Sequence, residues 1–105
     1  YPQYSATTTA AVFDRIAKDL KQRSDLPELR FVNQYFDHPE YIAALAHSAK
    51  TFWQQHGEPD YLLCSYHGIP QRYADNGDPY PEQCHGTTAA LAQALDMPRE
   101  KMSMS

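Results

Sequence analysis

A histidine placed directly after a short apolar run is the first candidate for chemistry in this chain. Tyr61-Leu62-Leu63-Cys64 leads into Ser65-Tyr66-His67-Gly68-Ile69, closed by Pro70. That order puts an imidazole where a buried parallel strand ends. In open α/β sheets the carboxyl ends of the strands line the ligand crevice. Gly68 is expected to let the backbone turn sharply with no Cβ in the way, and Pro70 cannot continue a central strand. An imidazole titrates at about 6.5, so it can take a proton or bind a metal at neutral pH. The competing reading is a loop histidine that only hydrogen-bonds to backbone. Placement at a strand end, between Ser65 and Gly68, weighs against it.

Two further segments carry groups that could serve a site. Gly77-Asp78-Pro79-Tyr80-Pro81 follows His67 by about a dozen residues. Its two prolines fix the backbone, so Tyr80 is presented in a defined direction. Such a tyrosine can stack on a flat ligand or hydrogen-bond to it. Asp78 reads more readily as a helix cap than as a catalytic carboxylate. Tyr1-Pro2-Gln3-Tyr4-Ser5 precedes the first helix and reads both as a loop with a cap and as a second loop at the His67 edge. His38, His47, His56 and His85 read as structural or solvent-facing. No P-loop, no GxGxxG and no Ser-His-Asp order supports nucleotide binding or acyl transfer.

The elements that position these groups alternate. Ser5 or a nearby threonine caps a helix running to about Arg23, with Phe13, Ile16, Ala17 and Leu20 on one face. Leu29-Arg30-Phe31-Val32 reads as a short strand after Pro27. Asp37 or His38 caps the next helix, with Pro39 in its first turn. Ile42, Leu45, Ala46, Ala49, Phe52 and Trp53 repeat at helical spacing, and Gly57 ends that helix. Asp60 to Ser65 is the second strand. A polar loop follows, turning at Asp75-Asn76-Gly77-Asp78-Pro79. Tyr80 or Pro81 opens a third helix with Thr88, Leu91, Ala92 and Leu95 inward and Pro98 as its stop. Met102-Ser103-Met104-Ser105 reads as a strand just begun. This order predicts an α/β fold of alternating helices and parallel strands. No internal boundary divides residues 1–105.

Composition narrows the class. A chain of 105 residues suffices for one domain, and 42% hydrophobic residues fits a globular one. Nine Lys and Arg against thirteen Asp and Glu give a formal charge of −4, against a nucleic-acid partner, which needs a basic face. No apolar run approaches the roughly 18 residues of a membrane span. Cys64 and Cys84 make neither a disulfide framework nor a CxxC pair. Both are expected to stay reduced in a cytoplasmic protein. The opening at Tyr1-Pro2 and the unfinished final strand lead us to expect a piece of a longer protein.

The three segments together, in this order and at these separations, resemble the ferrochelatase family, whose enzymes catalyse the last step of haem synthesis. The family carries a loop like Tyr1-Pro2-Gln3-Tyr4-Ser5. It carries a Ser-x-His-x-x-Pro signature, matched by Ser65, His67 and Pro70, and then Gly-Asp-Pro-Tyr-Pro, matched by Gly77 through Pro81. The likeness runs the whole length of the chain, as roughly the middle third of such an enzyme. His67-Gly68-Ile69-Pro70 resembles the bacterial form. The resemblance implies part of a Rossmann-like chelatase domain and a lyase that inserts ferrous iron into protoporphyrin IX. It implies that His67 is the catalytic histidine, as proton acceptor, iron ligand or both. Tyr80, Tyr1 and Ser65 become porphyrin-binding candidates, and Arg72 meets either a propionate or solvent. Iron is then a substrate and not a resident cofactor. Where animal enzymes place a cluster-binding cysteine, this chain has Ala6, so no iron–sulfur cluster is expected through that position. The greasy substrate implies peripheral membrane contact for the parent protein.

The family's partner carboxylate for the histidine and much of the pocket fall outside these residues, so the fragment alone is expected to be inactive. Three other readings stand beside this one. They are a related chelatase acting on another tetrapyrrole or metal, a non-catalytic α/β module binding haem or a partner, and a bare folding unit with uncovered apolar faces.

Overall fold

Helix formation starts at Ser5, where the chain leaves extended backbone. A computed structural model describes all 105 residues. The Ser5 hydroxyl accepts the Thr7 N–H at 3.1 Å, taking up one of the free donors of a helix start. The first turns, Ala6–Ala10, are wide: the Ala10 N–H reaches the Ser5 carbonyl, five residues back. They tighten into α1, Ala11–Leu20. This helix buries none of its residues. Exposed Asp14–Lys18 and Asp19–Arg23 pairs line its outside, each worth only about 0.3–0.5 kcal/mol.

The expected strand at Leu29–Val32 does not form. The segment is extended, but no strand lies beside it. A strand is a pairing, because its N–H and C=O groups need partners. Phe31 instead packs on Phe13 of α1, ring centroids 5.1 Å apart, and Val32 is 72% exposed.

From here the long helices and both strands stand where the sequence places them, with the strand expected over Asp60 to Ser65 shortened to Leu62–Cys64. The His38 ring nitrogen Nδ1 accepts the Glu40 N–H at 3.3 Å, and Pro39 opens α2, Pro39–His56. Gly57, at φ 94°, closes it by donating to the Trp53 carbonyl, a conformation that favours glycine. Strand β1, Leu62–Cys64, pairs in parallel with β2, Met102–Met104, with Leu62 opposite Met102. The connection between them carries two helices. The first, α3, Gln71–Asp75, occupies what the sequence reads as a polar loop. The second, α4, runs Tyr80–Ala94. It stops before Pro98, because Asp96 adopts a left-handed φ of 51°. Pro98 then precedes a short 3₁₀ turn, Arg99–Lys101.

The core sits where α2, α4 and the two strands meet. Ala46, Ala92, Leu95, Met97 and Met102 are its buried members, with Trp53 and Leu62 packed against them. Thr88 faces inward as expected and is fully buried. The rest is extended: the radius of gyration is 17.3 Å, against about 13 Å for a compact domain of this length.

Gly86 lets the segment before α2 lie against α4. A Cβ there would stand 2.6 Å from Cε2 of Phe36. Overpacking of this kind costs about 1–3 kcal/mol, and a clash with two ring atoms at 3.0 Å or less belongs in the upper part of that range, above the roughly 1 kcal/mol alanine gains over glycine in a helix. Gly86→Ala is therefore expected to lower the thermal midpoint of the whole protein, measured by circular dichroism.

Candidate functional site

The parallel ladder continues past β1 toward the histidine. Ser105 donates to the Cys64 carbonyl at 3.0 Å, and Tyr66 donates to the Ser105 carbonyl at 2.8 Å. The Tyr66 hydroxyl meets that of Thr88 on α4 at 2.8 Å. The residue just before His67 is thus anchored through both backbone and side chain, while His67 itself is exposed. Gly68 plays a smaller part than expected. Its φ is not positive, and an added Cβ would meet nothing within 4 Å.

Burial raises the Tyr66 hydroxyl from 10 to about 12, against the opposing effect of its bond to Thr88. A phenol that ionises at higher pH in the folded state binds more protons there than in the unfolded chain between those values. Its contribution to stability is complete below pH 10 and is lost as pH rises toward 12. Absorbance titration at 295 nm of the whole protein is expected to show a tyrosine ionising near pH 12, absent in Tyr66→Phe.

Tyr80 stands at the first position of α4, where Asp78 Oδ1 accepts its N–H at 3.0 Å. Asp78 thus has the capping role the sequence suggests. Tyr80 is partly buried, and burial is the main cause that raises its hydroxyl, followed by Cys84, while the His67 backbone works the other way. Burial likewise raises the Cys84 thiol. Both groups are therefore neutral at pH 7, and a buried neutral thiol is a poor nucleophile.

The opening loop closes over these groups. Gln3 Nε2 donates to Thr87 Oγ1 at 2.8 Å, and the Tyr4 N–H donates to Gln83 Oε1 at 2.7 Å. The Ser5 hydroxyl and the Ala6 N–H both donate to Asp78 Oδ2 at 2.9 Å. The outcome is a cleft of about 270 Å³ lined by Tyr1, Gln3, Ser5, Thr7, Thr8, His67, Ile69 and Tyr80. Three segments far apart in sequence meet there.

Of the residues singled out from the sequence, His67, Tyr1 and Tyr80 share this cleft. Ser65 is exposed and is not among its lining residues. Arg72 is exposed on α3, its guanidinium 5.3 Å above the Tyr73 ring. Gln3, Ser5, Thr7, Thr8 and Ile69 were not singled out as site residues. Gln3 and Ser5 stand in the opening motif, but the threonine run reads only as capping chemistry. His38, His47, His56 and His85 are exposed and away from the cleft. A larger groove, about 710 Å³, runs along Phe36, α4 and Arg99. It holds no imidazole or thiol, so we assign the site to the smaller cleft. No group of three or more His, Cys, Asp or Glu side chains that could hold a metal ion occurs in these residues.

The ferrochelatase family model matches residues 1–105. The chain is 75% identical over 105 residues to a ferrochelatase of Photobacterium profundum. It is 64% identical to one of Vibrio cholerae and 56% identical to one of Vibrio parahaemolyticus, again over 105 residues. Each comparison takes in 100% of this chain and 33% of the relative. The chain thus spans about a third of the length of the curated relatives it matches.

Proposed function

The chain belongs to the ferrochelatase family, and from that premise we propose that the whole protein inserts ferrous iron into protoporphyrin IX to make haem. The observation that carries this reading is the meeting of His67, Tyr1 and Tyr80 in one cleft. Insertion exchanges two pyrrole N–H protons for one Fe²⁺, so two protons must be carried off. A neutral imidazole at the cleft wall is suited to accept them in turn, since its free ring nitrogen is a proton acceptor that can pass each proton on. The same nitrogen is a suitable ligand for iron on its way in. Iron is substrate here. Tyr80 and Tyr1 offer aromatic faces and hydroxyls to a flat macrocycle. Ser65 stands with them as a porphyrin-binding candidate on the strength of the family signature alone.

A cleft of 270 Å³ lies just under the range of about 300–1,000 Å³ that holds small-molecule ligands. It serves as one wall of a larger site, completed by other parts of the protein. Ala6 follows Ser5, so we expect no iron–sulfur cluster bound through that position. No helix is long and apolar enough to cross a membrane. From the family resemblance we propose a cytoplasmic protein whose greasy substrate brings it into peripheral contact with the membrane.

Anaerobic loss of porphyrin fluorescence on adding Fe²⁺ to the whole protein tests the reading. Catalytic loss of fluorescence with haem appearing is the expected result. Bound porphyrin with no turnover would favour a haem-binding module, and turnover with another metal or tetrapyrrole alone would favour a related chelatase.

A further inference from the structure

Asp78 does not line the cleft, yet it joins two of the three segments that do. Its carboxylate accepts three hydrogen bonds. Oδ2 takes the Ser5 hydroxyl and the Ala6 N–H, each at 2.9 Å, and Oδ1 takes the Tyr80 N–H at 3.0 Å. Both amides are free donors at helix starts, one at the wide turn Ala6–Ala10 and one at α4. One negative charge therefore faces the positive ends of two helices, where an anion is stabilised. Ser5 is completely buried and its oxygen also accepts the Thr7 N–H, so Ser5 is fixed by bonds on both sides. Tyr1, four residues before Ser5, is 78% exposed. Its backbone gains direction from the way Gln3, Tyr4 and Ser5 are held.

We infer that Asp78 is a positioning residue that sets the spacing between the Tyr1–Ser5 loop and Tyr80, and so the width of the porphyrin cleft. The inference rests on the iron-insertion reading for its substrate, but the brace itself is a statement about geometry. Asparagine at this position has one acceptor oxygen where aspartate has two, so it can serve the Tyr80 N–H or the Ala6 N–H but not both. Alanine removes all three bonds.

The test uses the whole protein with Asp78→Ala, Asp78→Asn and Ser5→Ala, following amide exchange at Ala6 and Tyr80 beside steady-state kinetics. Asp78→Ala is expected to speed exchange at both amides by about tenfold or more, the loss of a charge-assisted bond at each. It is expected to raise KM for porphyrin about tenfold with a smaller change in kcat. Asp78→Asn should free one of the two amides and leave the other protected. Ser5→Ala should raise KM by a smaller factor in the Asp78→Ala background than in the wild type, because the Ser5–Asp78 bond is already gone there while the bonds to Thr7 remain to be lost. Unchanged exchange at Ala6 in Asp78→Ala would overturn the brace, and so would freed amides with KM as in the wild type. A fall in kcat alone, with KM and exchange preserved, would overturn it in favour of direct contact with the reacting atoms. If the wild type inserts no iron while Ala6 exchange still depends on Asp78, the functional reading falls and the brace stands.

Discussion

His67→Ala is expected to abolish iron insertion by the whole protein, with kcat falling by about 10²-fold or more, the usual contribution of a positioned acid–base group. Porphyrin binding should survive, because Tyr1 and Tyr80 line the same cleft independently of the imidazole. The fold should survive too. The His67 side chain is exposed, and the neighbouring chain is held through Tyr66, by its amide to Ser105 and its hydroxyl to Thr88. Fluorescence titration with porphyrin and anaerobic turnover on one preparation separate the two quantities. Wild-type turnover in the variant would remove His67 from the chemistry. Equal loss of binding and turnover would make it a ligand contact and not a base.

The second large effect lies at Thr87. Its hydroxyl accepts from Gln3 at 2.8 Å and donates to the Phe36 carbonyl at 2.7 Å. Thr87 is 2% exposed and Gln3 7%, so water does not replace the bond between them, whereas Phe36 is only half-buried. Thr87→Val keeps the shape and removes both. It strands a buried amide donor, at a cost of about 1–3 kcal/mol, and leaves the half-buried Phe36 carbonyl open to water. We expect a loss of about 1–3 kcal/mol in stability, read from denaturant unfolding of the whole protein, with weaker porphyrin binding as Gln3 leaves the cleft wall. Thr87→Ser keeps the hydroxyl and should recover most of both. A valine variant as stable as the wild type would mean that Gln3 finds another partner.

Much of this was legible in the sequence because it is local. The helical spacing of Ile42, Ala46 and Ala49 needs only the period of a helix, and His38, Pro39 and Gly57 mark ends by their own backbone preferences. Asp78 announced itself as a cap by standing two residues before Tyr80, where a short acceptor side chain reaches the first amide of the helix. The failures are not local. Leu29–Val32 has the composition of a strand, but composition says nothing about whether a neighbour is present to pair with it. At α3, five residues are too few to display a period. Gly68 suggested a tight turn, but its backbone lies where any residue can go. At the cleft, the motifs indicated which segments would meet. They did not indicate that Thr7, Thr8 and Ile69 would line the space between, since that depends on how the wide turn after Ser5 is wound.

The bonds that hold the opening loop have a consequence for synthesis. Gln3 is joined to Thr87 across 84 positions, Tyr4 to Gln83 across 79 and Ser5 to Asp78 across 73. The loop is made before any of its anchors. At roughly 5–20 residues per second on the ribosome, it waits several seconds before Asp78 and α4 emerge. During that interval its amides are solvated and Tyr1 has no cleft to border. The wall that we expect to receive the porphyrin is therefore among the first parts of this chain to be synthesised and among the last to be set.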